Sequence, residues 1–577
     1  MNSRLLDEKD EWEGIIGFPQ NRTLYVDHFS GGNPMISSVF DGFQASDMES
    51  VFEHYQPAKE VDLKNENGEY VVEEFRFRSI DDFEDEQLIE QSELLSAEND
   101  KIETYNDIIR QIEKNKTLRN ILLDEKTSAD LKKAISSLIA ELSQQKATES
   151  SIDQEEYLML KGIIKHVELL DPSHVAARNI FLSDSSYADT RQKLTNDLRL
   201  WASILEKGKT DLVAMVETCK TSRNEAELNL QNNLLQIHDD TQPLEVTYRT
   251  LDSFFANAGQ EGTQCLTLMD VSNEELRLSD SDSSLAIKKE LKKHYDTLSL
   301  RNSYSLFVVP GYLGDAPTLR EWAKAAHKNK VLMVTDFKDC QNFRILEDDL
   351  YEANLHGNDT FLANVVVTCN YLLGRKKSEL ANEDDDLYIP CSGALAGRMA
   401  NTKEIVIAQG VVGRDYGLLD SVKGTRIKLL KSEIEALVDQ GVIPMAESEG
   451  RTYALSNRSL YNGAAFSLQE YPIVRVLDWV NKVLMNYMHE IANETWDPYM
   501  SPKKLESKIR DFLDHYRGYQ LLFSSYKLGL PSQDPKTKIV SVDIAITPFF
   551  AAKNFIIKLE ADNKNYMNAD TTVERQP

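Results

Sequence analysis

Cys391-Ser392-Gly393 is the first stretch of this sequence that invites a chemical reading, because a serine or cysteine beside a glycine on a tight turn is one way to expose a nucleophile. The pattern is not GxSxG, and no base is identifiable beside it, so activation lacks an agent. Asp384-Asp385-Asp386 offers carboxylates to a divalent cation, but cation loops interleave their acids with turn residues and this run does not. It reads as a solvated loop. Gly311-Tyr312-Leu313-Gly314 follows an apolar strand, as a dinucleotide loop would, yet it lacks the third glycine and the downstream acid, and reads as a turn. There is no GxxxxGK(S/T) phosphate loop, no HExxH and no paired-histidine zinc spacing. His327 falls in an amphipathic helical stretch, where a structural role fits better than a catalytic one. The cysteines (Cys219, Cys265, Cys340, Cys369 and Cys391) lie far apart, and their odd number without a CxxC pair fits reduced thiols in a cytosol. No catalytic residue, cofactor-binding residue or metal ligand is assigned.

The composition narrows the classes further. With 94 acidic and 65 basic side chains the formal charge is −29, the opposite of a nucleic-acid footprint. Such a charge keeps a surface soluble, and in a large assembly it opposes premature aggregation. No run approaches the roughly 20 apolar residues of a spanning helix. Met1–Gly14 is acidic and lacks an apolar core, so it does not read as a secretory signal. A length of 577 residues suggests two to four domains, and 41% hydrophobic residues suffice for buried cores.

The elements that would position any site come in blocks. Arg22–Phe29 is β-prone and ends at Ser30-Gly31-Gly32-Asn33-Pro34. Asn65–Gly68 is a turn between Glu60–Leu63 and Tyr70–Phe77, which predicts a hairpin. Leu88, Leu95, Ile102 and Ile109 recur every seven residues, an amphipathic helix with a coiled-coil-like seam, and Thr127–Leu142 adds another helix. Ser143–Asp153 is poor in bulky apolar residues and reads as a linker. Helices are predicted at Tyr157–Leu170, Thr190–Leu205 and Leu212–Phe255, the last with a break at Thr241-Gln242-Pro243. Ser305–Pro310, Val331–Thr335 and Asn364–Cys369 are apolar runs, and Thr318–Asn329 is a helix between the first two, a βαβ pattern that implies a largely parallel sheet. Near the end, Ser501 is predicted to cap a helix with Pro502 in its first turn and Leu505, Ile509, Phe512 and Tyr516 on one face. Val540, Val542, Ile544 and Ile546 alternate with polar or small residues as in a half-buried strand, and Phe555–Leu559 offers a second one.

Two regions resemble the two sheath proteins of type VI secretion systems, in the branch found in Bacteroidetes. Residues of about 16–145 are similar to the small subunit through Phe18–Leu24, Val51–Tyr55, and Phe75-Arg76-Phe77 leading into Ile80–Phe83. Residues of about 155–565 are similar to the large subunit through Asp197–Trp201, Leu244–Leu251, Val308–Gly314, Val334–Phe337, Leu387–Gly397 and Ala551–Leu559. The segment from Pro390 also resembles one in phage tail sheaths.

The resemblance implies an α/β chain, α+β overall, with a mixed sheet in a sheath-type core, long helices and C-terminal exchanged strands. It implies a small-subunit-like domain at 1–142, a linker at 143–153, a mainly helical region at 154–300, an α/β core at 301–470, a C-terminal core at 471–565 and a tail at 566–577. Both subunits would then lie in one chain. It also implies a non-enzymatic cytoplasmic protein that polymerises helically with copies of itself around an inner tube protein and meets a baseplate. Separate sheath subunits and an AAA+ unfoldase are further partners in the family, but the unfoldase-recognition segment would be internal here. Neither nucleic acid nor membrane insertion is implied. The expected inter-subunit strand residues are Val540, Val542, Ile544, Ile546, Phe555, Ile557 and Leu559, and the expected tube-facing residues are Lys503, Lys504, Lys508 and Arg510. Two alternatives stand beside this reading: the sheath of a phage-tail-like contractile injection system, and an α/β enzyme with helical appendages.

Overall fold

The computed structural model describes residues 14–31, 42–144, 150–161, 163–208, 211–380, 385–492, 494–518, 521–551, 555–559 and 571–575. Its centre is an eight-stranded mixed sheet. The first strand, β1 (Thr23–Asp27), is followed by β2 (Phe43–Ala45) and by an antiparallel hairpin of β3 (Ala58–Lys64) and β4 (Tyr70–Arg76). Then come β5 (Leu266–Asp270), β6 (Leu306–Val309), β7 (Leu332–Asp336) and β8 (Val365–Cys369). A short ribbon of β9 (Leu372–Arg375) and β10 (Leu387–Ile389) precedes β11 (Ile443–Ser448) and β12 (Arg451–Ala454). The sheet order is β12-β11-β8-β7-β6-β1-β5-β2. Strands β11, β8, β7, β6, β1 and β5 are mutually parallel, and antiparallel β2 and β12 close the two ends.

The apolar runs are explained by burial on both faces. In β1, Tyr25 joins one core while Leu24 and Val26 join the other; in β6, Leu306 and Val308 oppose Phe307 and Val309. The expected βαβ unit is present, with its helix at Ala316–Lys328 between β6 and β7. The central position of β1 is not predictable from local sequence. It pairs in parallel with β5 on one side and β6 on the other, so residues from the first 30 share a ladder with residues near 270 and 306.

The long helices are α1 (Glu93–Lys114), α2 (Glu125–Gln144), α3 (Ala188–Gly208) and α4 (Leu212–Thr263). Behind them in the chain come α5 (Ala316–Lys328), α6 (Ser392–Ala400), α7 (Tyr471–Glu490) and α8 (Ser501–Tyr516). Helix α1 buries Leu95, Ile108, Ile109 and Ile112, while Leu88 of the expected seam lies in a separate helix, Asp85–Gln91, because Ser92 between them is extended and caps α1. A separate helical core joins Ile108, Leu131 and Leu138 to Leu160, Leu198 and Trp201, on either side of 143–153. It encloses the ion pair of Arg178 with Glu141, both buried.

Three further local expectations are corrected. Pro243 does not break α4, which stays helical from Leu212 up to Gly259, about 70 Å at 1.5 Å per residue. Pro243 and Asp239 are exposed, so the carbonyl that loses its amide partner faces water. The true kink is at Gly259, with φ of 62°. Tyr157–Leu170 is not one helix but Gln154–Lys161 followed by a 3-10 turn at Val167–Leu170, with His166 at a φ of 62° between them. Ser501 is not the cap of α8: Met500 takes that position with helical dihedrals, and the Ser501 hydroxyl accepts from the Asp497 N–H at 2.9 Å.

Candidate functional site: polar locks and a C-terminal module

The residues with apparent chemistry converge at the carboxyl ends of the strands, where they lock the backbone. Asp336, the last residue of β7, is fully buried and accepts from five groups. The N–H groups of Gly311, Cys391 and Ser392 lie at 2.9, 2.7 and 2.9 Å, the Ser392 hydroxyl at 2.5 Å, and the Thr368 hydroxyl donates as well. One carboxylate thereby ties β7, β8, the loop after β6 and the N-terminus of α6. Ser392 is wholly buried and spends its proton on Asp336, and burial pushes the Cys391 thiol well above its ordinary pKa. Neither is a nucleophile. The Gly311–Gly314 turn, with φ of 83° at Gly311, serves to aim its amide at Asp336.

Helix α6 must approach α4 closely. A Cβ at Gly393 or Gly397 would run into the carbonyl oxygens of Thr250 and Phe254, so this motif is a helix contact made of small residues. Beside it, Arg375 grips Glu245 with two hydrogen bonds, at 2.8 and 3.0 Å, and Arg249 adds a third at 2.7 Å. Burial works to raise the Glu245 pKa, but the two guanidiniums outweigh it and hold the carboxyl below its usual range.

A second lock holds the N-terminal segment. Trp479 Nε1 on α7 donates to the Phe18 carbonyl at 2.8 Å, and buried Arg475 donates to the carbonyls of Gln20 at 3.0 Å and Met399 at 3.1 Å. Lys482 is completely buried and donates to the Tyr304 carbonyl at 2.7 Å; burial pulls its pKa down to about 7, against the pull of Asp478. His327 has the structural role expected of it. Its Nδ1 meets Asn364 Oδ1 at 2.7 Å, and the Asn364 amide donates to Asp478 at 2.6 Å. In the acidic run, Asp384 lies outside the described residues, while Asp386 accepts from the Lys377 N–H at 2.8 Å. Among the described residues no cluster of three or more ligating side chains is suited to a metal.

The C-terminal module rests on α7 and α8. The apolar stripe of α8, Leu505, Ile509 and Phe512, packs on Val476, Trp479 and Val480 of α7. Four further strands are β13 (Ser525–Leu528), β14 (Ser532–Gln533), β15 (Val540–Ser541) and β16 (Ile544–Thr547). They form one interrupted hairpin, β13 against β16 and β14 against β15. The expected single strand at Val540–Ile546 is therefore split. Gly529 N–H donates to the Asp543 carbonyl at 2.8 Å beside the interruption, and Pro531 on the opposite strand has no N–H to give to a ladder. Val540, Val542, Ile544 and Ile546 are half-buried and pack together against the α7–α8 core. Phe555, Ile557 and Leu559 lie in β17 (Phe555–Leu559), which pairs with β18 (Thr571–Arg575) of the same chain; the backbone alone is described there.

On α8, Lys503, Lys504 and Arg510 are exposed. Arg510 is paired with Glu506, and Lys508 stands 5.5 Å from the centre of the Tyr487 ring. The structure thus places these four cations on a helix backed by the same core as the hairpin. The residues the sequence reading missed are Asp336, Arg475 and Trp479. The only sequence signal for them was membership in the family motif, for Asp336, and a tryptophan with an arginine four residues before it on one helix face.

A mixed sheet covered on both faces is thus held by buried carboxylates that accept from backbone amides and hydroxyls, and a C-terminal hairpin packs on the α7–α8 core. Three family models match successive stretches: the TssC/VipB-like N-terminal region at residues 144–234, the central domain of the type VI secretion system protein TssC/VipB at 236–462, and the TssC/VipB-like C-terminal domain at 470–574. The chain belongs to the TssC/VipB family and is a subunit of a contractile sheath. Among curated proteins none matches it by sequence. Similar solved structures include the anti-feeding prophage baseplate, at 13% identity over 55% of this chain and 81% of that one, with a TM-score of 0.41. They also include the contracted helical sheath of that prophage, at 13% identity over 54% and 81%, with a TM-score of 0.40. A sheath tail protein of Desulfitobacterium hafniense is 10% identical over 46% and 60%, with a TM-score of 0.30. The assignment rests on the family models.

Proposed function

We propose that this chain is a complete sheath protomer in which residues of about 16–145 act as the small subunit and residues of about 155–565 as the large one. The observation that carries the reading is β1. It comes from the stretch before the matched family regions, yet it fills the space between β5 and β6, and α7 clamps its approach at Phe18 and Gln20. Without it the sheet would be split along its middle, leaving two unpaired internal edges. On this reading the divisions are a small-subunit-like part at 1–142, a linker at 143–153, a helical region at 154–300, an α/β core at 301–470, a C-terminal core at 471–565 and a tail. Fusion fixes the stoichiometry of the two parts at one to one.

Copies of the protomer stack as a helix around an inner tube in the cytoplasm, on a baseplate. The C-terminal strands link neighbours by strand addition, and α8 faces the tube. Contraction releases energy stored in subunit packing, so the stroke itself needs no nucleotide. Buried Ser392 and Cys391 weigh against the enzymatic alternative. The test is electron microscopy of the purified chain before and after engineered protease cleavage within 145–149. Hollow tubes or rings support the sheath, and halves that stay together after the cut support the fused protomer. A strictly monomeric protein, or halves that drift apart, refutes the respective part.

A further inference from the structure

We propose that the cationic surface shared by the helix Asp282–Tyr295 and α5 is a docking face for the acidic segment 81–93 of a second copy of this chain; this rests on the sheath reading. Between residues 288 and 330 nine lysines and arginines stand against four acids, an excess of five positive charges in a chain whose formal charge is −29. The two helices lie side by side, with Lys288 Nζ 5.1 Å from the centre of the Trp322 ring of α5. Lys289 and Lys292 line the outer side of the first helix, Lys324 and Lys328 that of α5, and Arg301 precedes β6; all five are exposed. Lys324 is paired with Glu321 and Lys292 stands 3.9 Å from Asp296. Among the described residues Lys289, Arg301 and Lys328 have no carboxylate partner. The helix dipole suits Lys328 in the last turn of α5, but it accounts for neither Lys289 nor Arg301. The next helix, Phe343–Ala353, carries Glu347, Asp348 and Glu352 and so bounds the cationic patch.

The same chain holds a surface of the opposite sign. From Asp81 to Asp100 there are nine acids and no basic residue. Four of the nine are committed within the fold. Asp82 accepts from the Ser79 N–H at 3.2 Å, Asp85 meets His238 at 2.8 Å, Glu98 is buried, and Asp100 is paired with Lys193. Asp81, Glu84, Glu86, Glu90 and Glu93 are exposed and, among the described residues, have no cation beside them.

The two surfaces cannot meet within one copy. Phe83 and Leu88, which anchor the acidic segment, join the core of Tyr25, whereas Ile287, Leu291, Leu319 and Trp322 beneath the cationic helices join the core of Leu24 and Val26. Successive residues of β1 point to opposite faces, so the sheet stands between the two charges. Copies stacked in one orientation, face to back, bring the surfaces together. Such a contact is heterologous and does not close, so it propagates. Pairing either patch with itself would set like charges against each other, which leaves the opposite patch of another copy as the complementary surface.

Charge reversal tests this. One variant carries Lys289→Glu, Arg301→Glu and Lys328→Glu, and the other carries Glu84→Lys, Glu86→Lys and Glu90→Lys. Polymer mass is read by sedimentation and electron microscopy, with melting curves as the control for folding. Each variant alone is expected to melt like wild type and to lose about tenfold or more of its polymer, because attraction becomes repulsion at three positions. Mixed in equal amounts the two should copolymerise, since one then presents two acidic surfaces and the other two cationic ones. Wild-type-like polymerisation of either variant alone overturns the proposal. So does a mixture that assembles no better than its parts, which would assign the cationic patch to a different acidic partner. If a triple variant fails to fold, Lys289→Glu with Lys328→Glu and Glu86→Lys with Glu90→Lys are compared and mixed in the same way. A wild-type chain that never polymerises refutes the sheath reading itself.

Discussion

Asp336→Ala measures how much of the architecture hangs on one carboxylate. The substitution leaves three backbone donors without an acceptor, the buried N–H groups of Cys391 and Ser392 and the half-buried one of Gly311. The Ser392 and Thr368 hydroxyls can turn elsewhere; the amides cannot. At about 1–3 kcal/mol for each orphaned group the loss is about 3–9 kcal/mol, a large share of the roughly 5–15 kcal/mol that holds a folded domain together. Asp336→Asn keeps an oxygen for Cys391 and Ser392 but turns an NH2 toward Gly311, so about one donor is orphaned and the expected loss is about 1–3 kcal/mol. Urea unfolding followed by tryptophan fluorescence and circular dichroism should rank wild type above Asn above Ala, with Ala aggregating or failing to accumulate. If the Ala variant unfolds at the wild-type urea concentration with the same slope, the lock is not a major support of the fold.

Three other expectations concern pH and assembly. The hydrogen bond from His294, against the opposing effect of burial, holds Glu290 down at about 2, so its contribution is fully present above the ordinary carboxyl range and is lost as pH falls through about 2. His294→Ala should therefore move acid unfolding to higher pH, and an unchanged acid midpoint would show that the pair does not matter. Ile544→Asp places a charge against the α7–α8 core, whereas Asp543→Asn on the exposed side does not; the first should abolish sheath assembly and the second spare it, as read by electron microscopy. Replacing Lys503, Lys504 and Lys508 together with Glu should weaken coassembly with the tube in a salt-dependent way, because exposed pairs contribute only about 0–1 kcal/mol each. Undiminished, salt-insensitive coassembly would remove α8 as the electrostatic contact.

What could be read from the sequence was what local periodicity encodes. The βαβ unit and the Asn65–Gly68 hairpin follow from apolar spacing and turn residues, and the structure contains both, whereas the seven-residue seam is interrupted after Leu88 because Ser92 is extended and caps α1. The helix through Pro243 escaped because a proline penalty depends on whether the abandoned carbonyl meets water, which spacing does not reveal. The split of Val540–Ile546 escaped because alternation reports faces, not continuity, and the interruption comes from Gly529 and Pro531 on the facing strand. Asp336 was legible only as part of a motif. Its function arises from three peptide groups that are adjacent in space but 25 and 55–56 positions away in sequence. Ser392 looked reactive because a buried hydroxyl donating to a carboxylate and a poised nucleophile share the same letters.

The insertion of β1 between β5 and β6 bears on how the protein is made. Thr23 emerges early from the ribosome, but its ladder partners Leu266 and Leu306 follow far behind. At about 5–20 residues per second, the first of them appears roughly 12–50 s later. During that interval an apolar strand must be kept from other edges, by chaperones or by its own hydrophilic surroundings, and such non-local pairing is intrinsically slow. Two separate polypeptides would face the same wait and a search through the cell as well. One chain replaces the search by a tethered encounter at high effective concentration. The covalent continuity between β1 and its ladder partners thus serves the making of the sheet as well as its finished form.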